Sequence, residues 1–513
     1  MFWRPDRRGQ YWTRIRPLLL KTVWASMLVA VPVTSFPWIA AFTSGSTVSP
    51  LSGLPLVIIA ALWFVPLVIR GSRISRLAYP LIVFASIALL SSALSLFASV
   101  EPFVGQTIPS RPLRAGLSLI IGIGFYLVVS KFPWSEKRLR ESLRWLYLGG
   151  AVMLLWSSVQ VYLLLFESEA APSYIREAHR ILSIRDLGTT RVTGMAFEPS
   201  WLANLLVVLF IPLWLASVIS RYSITRIHAR IVSIELFMLL WGSIILFFTF
   251  SRIGLLSFFA VIAFLGFLMS WRLASRWTVA LFDKRKGSVS TLRKFGTGLI
   301  RWLILGMLSL LAFLAMIAVL YAAGNLDDRI GRLFRVSYIG LLSSGNASAY
   351  LVARSLAFSE RLTYWTTAFR IFSEFPILGV GLGNTGFYFT EMVPSYGYGL
   401  PEIIRTLTGD VGFPNAKNLW IRLLAETGIM GFLAFLLWLL VLARAAWLLH
   451  NRANGIIRVL GTAGMLALVA QIFEGFSLDT FALPQLWIVL GLVTAAFSIW
   501  EYEALRQPLT SNE

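Results

Sequence analysis

Three groups of residues in this chain have the types and spacing to handle a negatively charged, hydroxyl-bearing substrate. Arg252 stands in Thr249-Phe250-Ser251-Arg252-Ile253-Gly254, between two apolar runs with almost no loop around it. A guanidinium there is costly to desolvate unless it faces a polar cavity. Its planar fork matches the oxygen geometry of phosphate and pyrophosphate. The alternative is an interfacial arginine snorkelling to lipid headgroups. The second group is Arg191 with Glu198, in Arg191-Val192-Thr193-Gly194-Met195-Ala196-Phe197-Glu198-Pro199-Ser200-Trp201. Pro199 fits the first turn of a helix. Glu198 then either favours that helix's positive end or accepts a proton from a hydroxyl or binds sugar. The third group lies in a long polar segment, residues 325–426. It holds Arg361, Arg370, the turn Gly379-Val380-Gly381-Leu382-Gly383-Asn384, and Asn415-Ala416-Lys417-Asn418. With no strand or P-loop context, those glycines read as a helix stop beside Pro376. Leu362, Trp365, Phe369 and Phe372 recur at helical spacing, which predicts an amphipathic helix over 359–375 with Arg361 and Arg370 on its polar face.

The elements that must position these residues are membrane spans. The 513 residues are 57% hydrophobic and 13% charged, with a mean hydropathy of +0.75. Soluble domains carry about 25% charged residues, so the fold class is an all-α polytopic membrane protein. Apolar runs near 22–43, 52–69, 78–98, 115–130, 145–165, 200–219, 232–250, 253–271, 302–322, 427–448, 458–475 and 483–500 predict about twelve spans. Trp145, Trp201, Trp271 and Trp302 sit near span ends, as interfacial belts do. This divides the chain into spans 1–9 (1–322), one long loop (323–426), and spans 10–12 with a tail (427–513). Arg4, Arg7, Arg8, Arg14 and Arg16 precede the first run without a clear small-residue cleavage site, which predicts a retained first span. No cysteine is present, which excludes disulfides and thiolate sites, and three histidines make a His-rich metal site improbable.

Charge sets the orientation. With the N-terminus inside, the whole net charge of +21 falls on inside segments, including a basic connector at 283–298. Both termini are then cytoplasmic, and the 325–426 segment is outside. The excess charge is topogenic or faces anionic lipid, so no nucleic-acid partner is needed. The acidic residues in the predicted spans, Glu235 and Glu474, lie near span ends. Carriers instead tend to place ionisable residues at mid-membrane on paired broken helices, which disfavours a lipid-linked oligosaccharide transporter.

Four stretches in order carry a resemblance. They are Arg191 with Phe197-Glu198-Pro199-Ser200-Trp201-Leu202-Ala203; Thr249 to Leu255; Arg361 and Trp365 with Phe375-Pro376-Ile377-Leu378-Gly379-Val380-Gly381-Leu382-Gly383-Asn384; and Asn418-Leu419-Trp420-Ile421-Arg422-Leu423-Leu424-Ala425-Glu426-Thr427-Gly428. Together they resemble the O-antigen ligase and O-antigen (exopolysaccharide) polymerase superfamily. The resemblance implies C-type glycosyl transfer at the outer face of the bacterial inner membrane, with neither metal nor other cofactor. The implied donor is a glycan on undecaprenyl diphosphate; the acceptor is another lipid-linked glycan (polymerase) or lipid A core (ligase). Arg252 matches the family arginine implicated in holding the donor diphosphate, and Arg191 and Arg361 match the other arginines of the site. Fixed guanidinium groups can stabilise a diphosphate leaving group without Mg²⁺. Lys417 stands where the ligases carry a histidine in Ala-His-Asn. Lys417 and Asn418 then belong with the substrate-binding residues, and Glu198 becomes the candidate base beside Arg252. That departure and the Phe-Glu-Pro-Ser-Trp stretch favour a polymerase over a ligase. A flippase and a chain-length regulator of the same pathway are the implied protein partners.

Overall fold

The computed structural model describes residues 10–43, 47–166, 171–188, 190–225, 228–229, 232–282, 291–325, 327–336, 349–356 and 358–506. Arg4, Arg7, Arg8, residues 283–290 of the basic connector and residues 337–348 of the polar segment lie outside them. So do the side chains of Arg14, Arg16, Trp271 and Trp302.

Among the described residues the chain is helical, apart from loops and a short ribbon of β1 (His228–Ala229) against β2 (Val232–Ser233). In order come α1 (Gln10–Val29), α2 (Pro37–Phe42), α3 (Gly53–Ile69), α4 (Arg76–Ser95), α5 (Ser110–Lys131), α6 (Glu136–Phe166), α7 (Ser173–Leu182), α8 (Pro199–Ile219), α9 (Ile234–Phe248), α10 (Arg252–Phe282) and α11 (Thr291–Gly324). The polar segment holds α12 (Asp328–Arg335), α13 (Ala349–Ser355), α14 (Ser359–Glu374), α15 (Phe389–Met392) and α16 (Pro401–Leu407). The chain closes with α17 (Leu419–Arg452), α18 (Gly455–Glu474) and α19 (Pro484–Arg506). Eight described helices are long and apolar enough to cross a membrane: α4, α5, α6, α8, α10, α17, α18 and α19. The other predicted runs correspond to shorter apolar helices, Pro17–Val29, Gly53–Ile69, Ile234–Phe248 and Phe313–Gly324. The run at 22–43 is not one helix: α1 ends at Val29 and α2 starts at Pro37, because Pro32 and Pro37 cannot continue a hydrogen-bonded ladder.

Two helices form the centre. α8 is 89% buried and α18 is 78% buried over their apolar windows, against 28% for α10. α18 packs on α8, α10, α17 and α19, and the outer layer adds α19 on α5 and α17 on α4. Lipid tails are as apolar as leucine, so this bundle is held by close packing and interhelical hydrogen bonds rather than by hydrophobic transfer. Gly461 of α18 shows the closeness. A Cβ there would lie 2.7 Å from the His450 nitrogen and 2.8 Å from the Ala446 carbonyl of α17. Trp438 and Trp487 stack at 5.3 Å in the same layer. Trp201, expected in an interfacial belt, is instead 7% exposed and packs on Phe197.

The polar segment is sewn to one end of this bundle. The backbone of 376–381 runs against 425–429: Val380 N–H donates to Ala425 O, Gly381 N–H to Glu426 O, and Ile429 N–H to Pro376 O. Only glycine allows this approach. Gly428 breaks α17 with φ of 62°, and a Cβ there would lie 2.1 Å from the Ile377 carbonyl. The glycine-rich turn is thus architecture, with φ of 68°, 89° and 76° at Gly379, Gly381 and Gly383. Beyond it Tyr364, Phe389, Val393, Leu400 and Ile403 form a small separate core. α14 forms as the helical spacing predicts, but Phe369 of its apolar stripe is 51% exposed, and Thr363, Tyr364, Thr367, Ala368 and Ile371 face the protein.

Candidate functional site

The end of the bundle that carries the polar segment gathers the candidate residues. Arg252 starts α10 after a turn so tight that Phe250 adopts φ of 45°, unusual for a residue with a Cβ. Arg191 holds this turn from the α8 side: its Nε donates to the Thr249 carbonyl at 2.9 Å and an Nη to the Phe250 carbonyl at 3.2 Å. α10 is drawn against α8 at the same level, where a Cβ on Gly254 would meet the Ala203 methyl at 2.6 Å. Arg252 reaches upward, and its Nη1 donates to the Leu356 carbonyl at 2.9 Å, just before α14. Arg252 is therefore tied to the segment that leads into the helix carrying Arg361.

Glu198 stands at the start of α8, half-exposed. It pairs with Arg185 at 3.3 Å and accepts from Ser200 Oγ at 3.1 Å. Two contacts fix one carboxylate in orientation while leaving it open to solvent. Arg361, in the first turn of α14, is half-buried and makes no hydrogen bond or ion pair with the described residues. It lies within electrostatic reach of four carboxylates: Glu198, Asp479, Glu402 and Glu474. Burial pulls the Arg361 pKa below its ordinary value, and those carboxylates oppose the shift. A guanidinium in this state is prepared for an anion without first having to break a contact.

Lys417 and Asn418 lie just before the start of α17. Lys417 has φ of 48°; its ammonium pairs with Glu402 and lies 4.1 Å from the centre of the Tyr364 ring. Tyr364 O–H also donates to Glu402 at 3.2 Å. Burial pushes the Glu402 carboxyl up, but the Lys417 hydrogen bond and charge outweigh it, so the net shift is downward. Lys417 is thus a latch between α16 and the base of α17. Asn418 is fully buried and caps α17, its Oδ1 accepting from Trp420 N–H at 2.9 Å and Ile421 N–H at 3.2 Å. Its Nδ2 has no partner among the described residues.

Sequence reasoning left several residues of this end without a role. Arg422 and Glu426 form a buried ion pair at 2.9 Å. Arg422 also donates to the Asp479 carbonyl, and Glu426 accepts from Thr385 Oγ1 at 3.1 Å. The pair therefore clamps the glycine-rich turn to the 474–483 connection. Arg185, Glu402, Glu474 and Asp479 reach the site from loops and helix ends far apart in sequence. Glu474 alone left a trace, as an acid at the end of an apolar run. No group of three or more His, Cys, Asp or Glu side chains that could hold a metal ion occurs among the described residues.

No curated protein matches the chain. Residues 237–436 match the family model described as O-antigen ligase. The matched range takes in the Arg252 turn, α14 with Arg361, the glycine-rich turn, and Lys417 to Glu426, the parts shown above to meet at one end of the bundle. Over that range the chain is similar to the O-antigen ligase family.

Proposed function

We propose that the chain is a polysaccharide polymerase, transferring glycan from an undecaprenyl-diphosphate donor to a hydroxyl of a second lipid-linked glycan. The observation that carries this reading is Arg361: half-buried, free of direct partners among the described residues, and coupled through Leu356 to Arg252. Two guanidinium groups on one short path suit a diphosphate, the leaving group of this chemistry. Arg191 acts through the turn it braces. In the transfer, the acceptor oxygen bonds to the anomeric carbon as the bond from that carbon to the diphosphate oxygen breaks. The electron pair leaves with the diphosphate, where Arg252 and Arg361 stabilise it. The hydroxyl proton passes to Glu198, which Arg185 and Ser200 hold in place. Lys417, engaged by Glu402, is unsuited to be a base and shapes the acceptor side together with Asn418. The donor set supports metal-independent transfer, with charge supplied by side chains. The site end faces outward from the bacterial inner membrane, both termini are cytoplasmic, and a flippase and a chain-length regulator work beside it.

Product analysis tests this reading. Purified protein is given a defined lipid-linked repeat unit, with and without lipid A core as acceptor. Polymer on undecaprenyl diphosphate supports the polymerase reading. Glycan appearing only on lipid A core makes the chain a ligase instead.

A further inference from the structure

On α17, beyond the break at Gly428, Ile429, Met430, Leu433, Leu437 and Leu440 are exposed, and helical spacing puts them on one face. α17 is long and apolar enough to cross a membrane, so this face meets lipid. The apolar surface does not stop at the break. Ile429 N–H donates to Pro376 O at 2.8 Å and Met430 N–H to Ile377 O at 3.4 Å, so the 375–377 elbow lies alongside the first turn of that face. Ile377 is 62% exposed there, and Phe375 is exposed beside it. α14 carries the strip further: Phe369 is exposed, its ring 5.8 Å from Phe372, with Leu362 two turns back on the same edge. The adjoining exposed edge of α14 is polar, with Arg370, Ser373 and Glu374, and Arg370 donates to Met392 O at 3.3 Å in the polar segment. The rest of α14 faces the protein through Thr363, Tyr364, Thr367, Ala368 and Ile371. A helix with an apolar edge beside a charged one is built to lie in a membrane interface.

We propose that Phe369, Phe375 and Ile377 form a membrane-contact edge, which rests in the acyl boundary of the leaflet on the polar segment's side and continues the lipid-facing side of α17. Bilayer lipid is the partner because the strip is continuous with a surface that already meets lipid, and because the polar edge beside it suits headgroups. Three large side chains are also far short of a stable protein interface, which takes about 20–30 residues a side. The contact fixes the height of the polar segment over the bilayer. With it comes the start of α14, where Arg361 stands two turns before Phe369, about 12 Å along the helix axis. The edge is independent of which glycan the mouth transfers.

The chain has no cysteine, so a single introduced cysteine can carry a bimane probe in the otherwise native protein. Full-length Phe369→Cys, Ile377→Cys, Leu433→Cys and Glu374→Cys are labelled and reconstituted in vesicles of phosphatidylcholine and phosphatidylglycerol, with and without a nitroxide high on the acyl chain. All four positions are exposed, so the substitutions leave the packed interior alone. Leu433 reports the lipid-facing side of α17, and Glu374 the polar edge of α14. An interfacial helix buries its apolar face about 5–10 Å into the headgroup and acyl boundary, so probes at 369 and 377 are expected to be quenched at least about two-fold more than the probe at 374, approaching the probe at 433. Quenching at either position no stronger than at Glu374 would overturn the proposal. A probe at Ile377 that is shielded from water yet unquenched by the nitroxide would overturn it too, because protein rather than lipid would then cover the edge.

Discussion

Replacing Arg361 with glutamine removes the guanidinium on which the proposed chemistry leans most. In the free protein this side chain is half-buried and makes no hydrogen bond or ion pair with the described residues, so no direct contact is lost on substitution. What is lost is long-range attraction to Glu198, Asp479, Glu402 and Glu474. A buried carboxylate deprived of a distant cation can take up a proton, and a one-unit pKa shift corresponds to about 1.4 kcal/mol. The stability cost of Arg361→Gln is therefore small, about 1–2 kcal/mol at most. The catalytic cost is larger. A bidentate grip on the leaving diphosphate consists of two charge-assisted hydrogen bonds, each about 1.5–3 kcal/mol. Losing both removes about 3–6 kcal/mol of transition-state stabilisation, or roughly 10²–10⁴-fold in kcat/KM. Arg361→Lys keeps the charge but loses the fork, so it falls between the two. The assay is polymer formation by purified variants from a defined lipid-linked repeat unit, with thermal unfolding measured in parallel. A folded Arg361→Gln protein within about three-fold of wild type would refute the reasoning, because a loss that small corresponds to well under 1 kcal/mol.

Three further outcomes follow from the geometry. Glu198→Gln slows transfer more than Lys417→Ala does, because Glu198 is held for proton transfer while Lys417 is engaged by Glu402; the reverse ranking in the same assay would reassign the base. The Glu402 carboxyl lies below its ordinary pKa when folded, so its contribution to stability is present above the unfolded value and is lost as pH falls through the folded one. Hydrogen exchange in α16 should accordingly rise on acidification below the ordinary glutamate range. Lys417→Ala removes most of that dependence, and a pH-independent wild type would count against the latch. Gly428→Ala places a Cβ 2.1 Å from a backbone carbonyl at φ of 62°. Backbone strain of about 1–3 kcal/mol plus the clash should abolish folded expression, and a wild-type unfolding temperature would show that the two backbones are not in contact.

The helices of this bundle could be read from its apolar runs because each run is far longer than a soluble strand and backbone in lipid must bond within itself. The candidate residues stood out where one residue carried its own context. Arg252 stands alone between two apolar runs, and Glu198-Pro199-Ser200 announces a helix start. What sequence could not show depends on distant partners. Lys417 is tied by Glu402, fifteen residues back, in a latch set by the left-handed backbone at 417. Arg191 was singled out by its own stretch, but that it braces the turn of Arg252, 58 residues on, was not visible there. The apolar stripe of α14 was visible, but which face meets the protein is decided by the small core of Tyr364, Phe389 and Ile403, assembled from three separate pieces of chain. The break between α1 and α2 was readable from Pro32 and Pro37, and the apolar run masked it. Glu474 looked like a span end because its partners, Asn204 and Ser257, lie 270 and 217 residues away.

The central claim is that two arginines release a diphosphate lipid as a sugar bond forms. Its most direct test is to count both products from purified protein in EDTA-containing buffer, with a defined undecaprenyl-diphosphate repeat unit as donor. The account predicts one undecaprenyl diphosphate released for each glycosidic bond formed, with both falling together in Arg252→Gln. Glycosidic bonds formed without diphosphate-lipid release, or release that persists undiminished in Arg252→Gln, would contradict it.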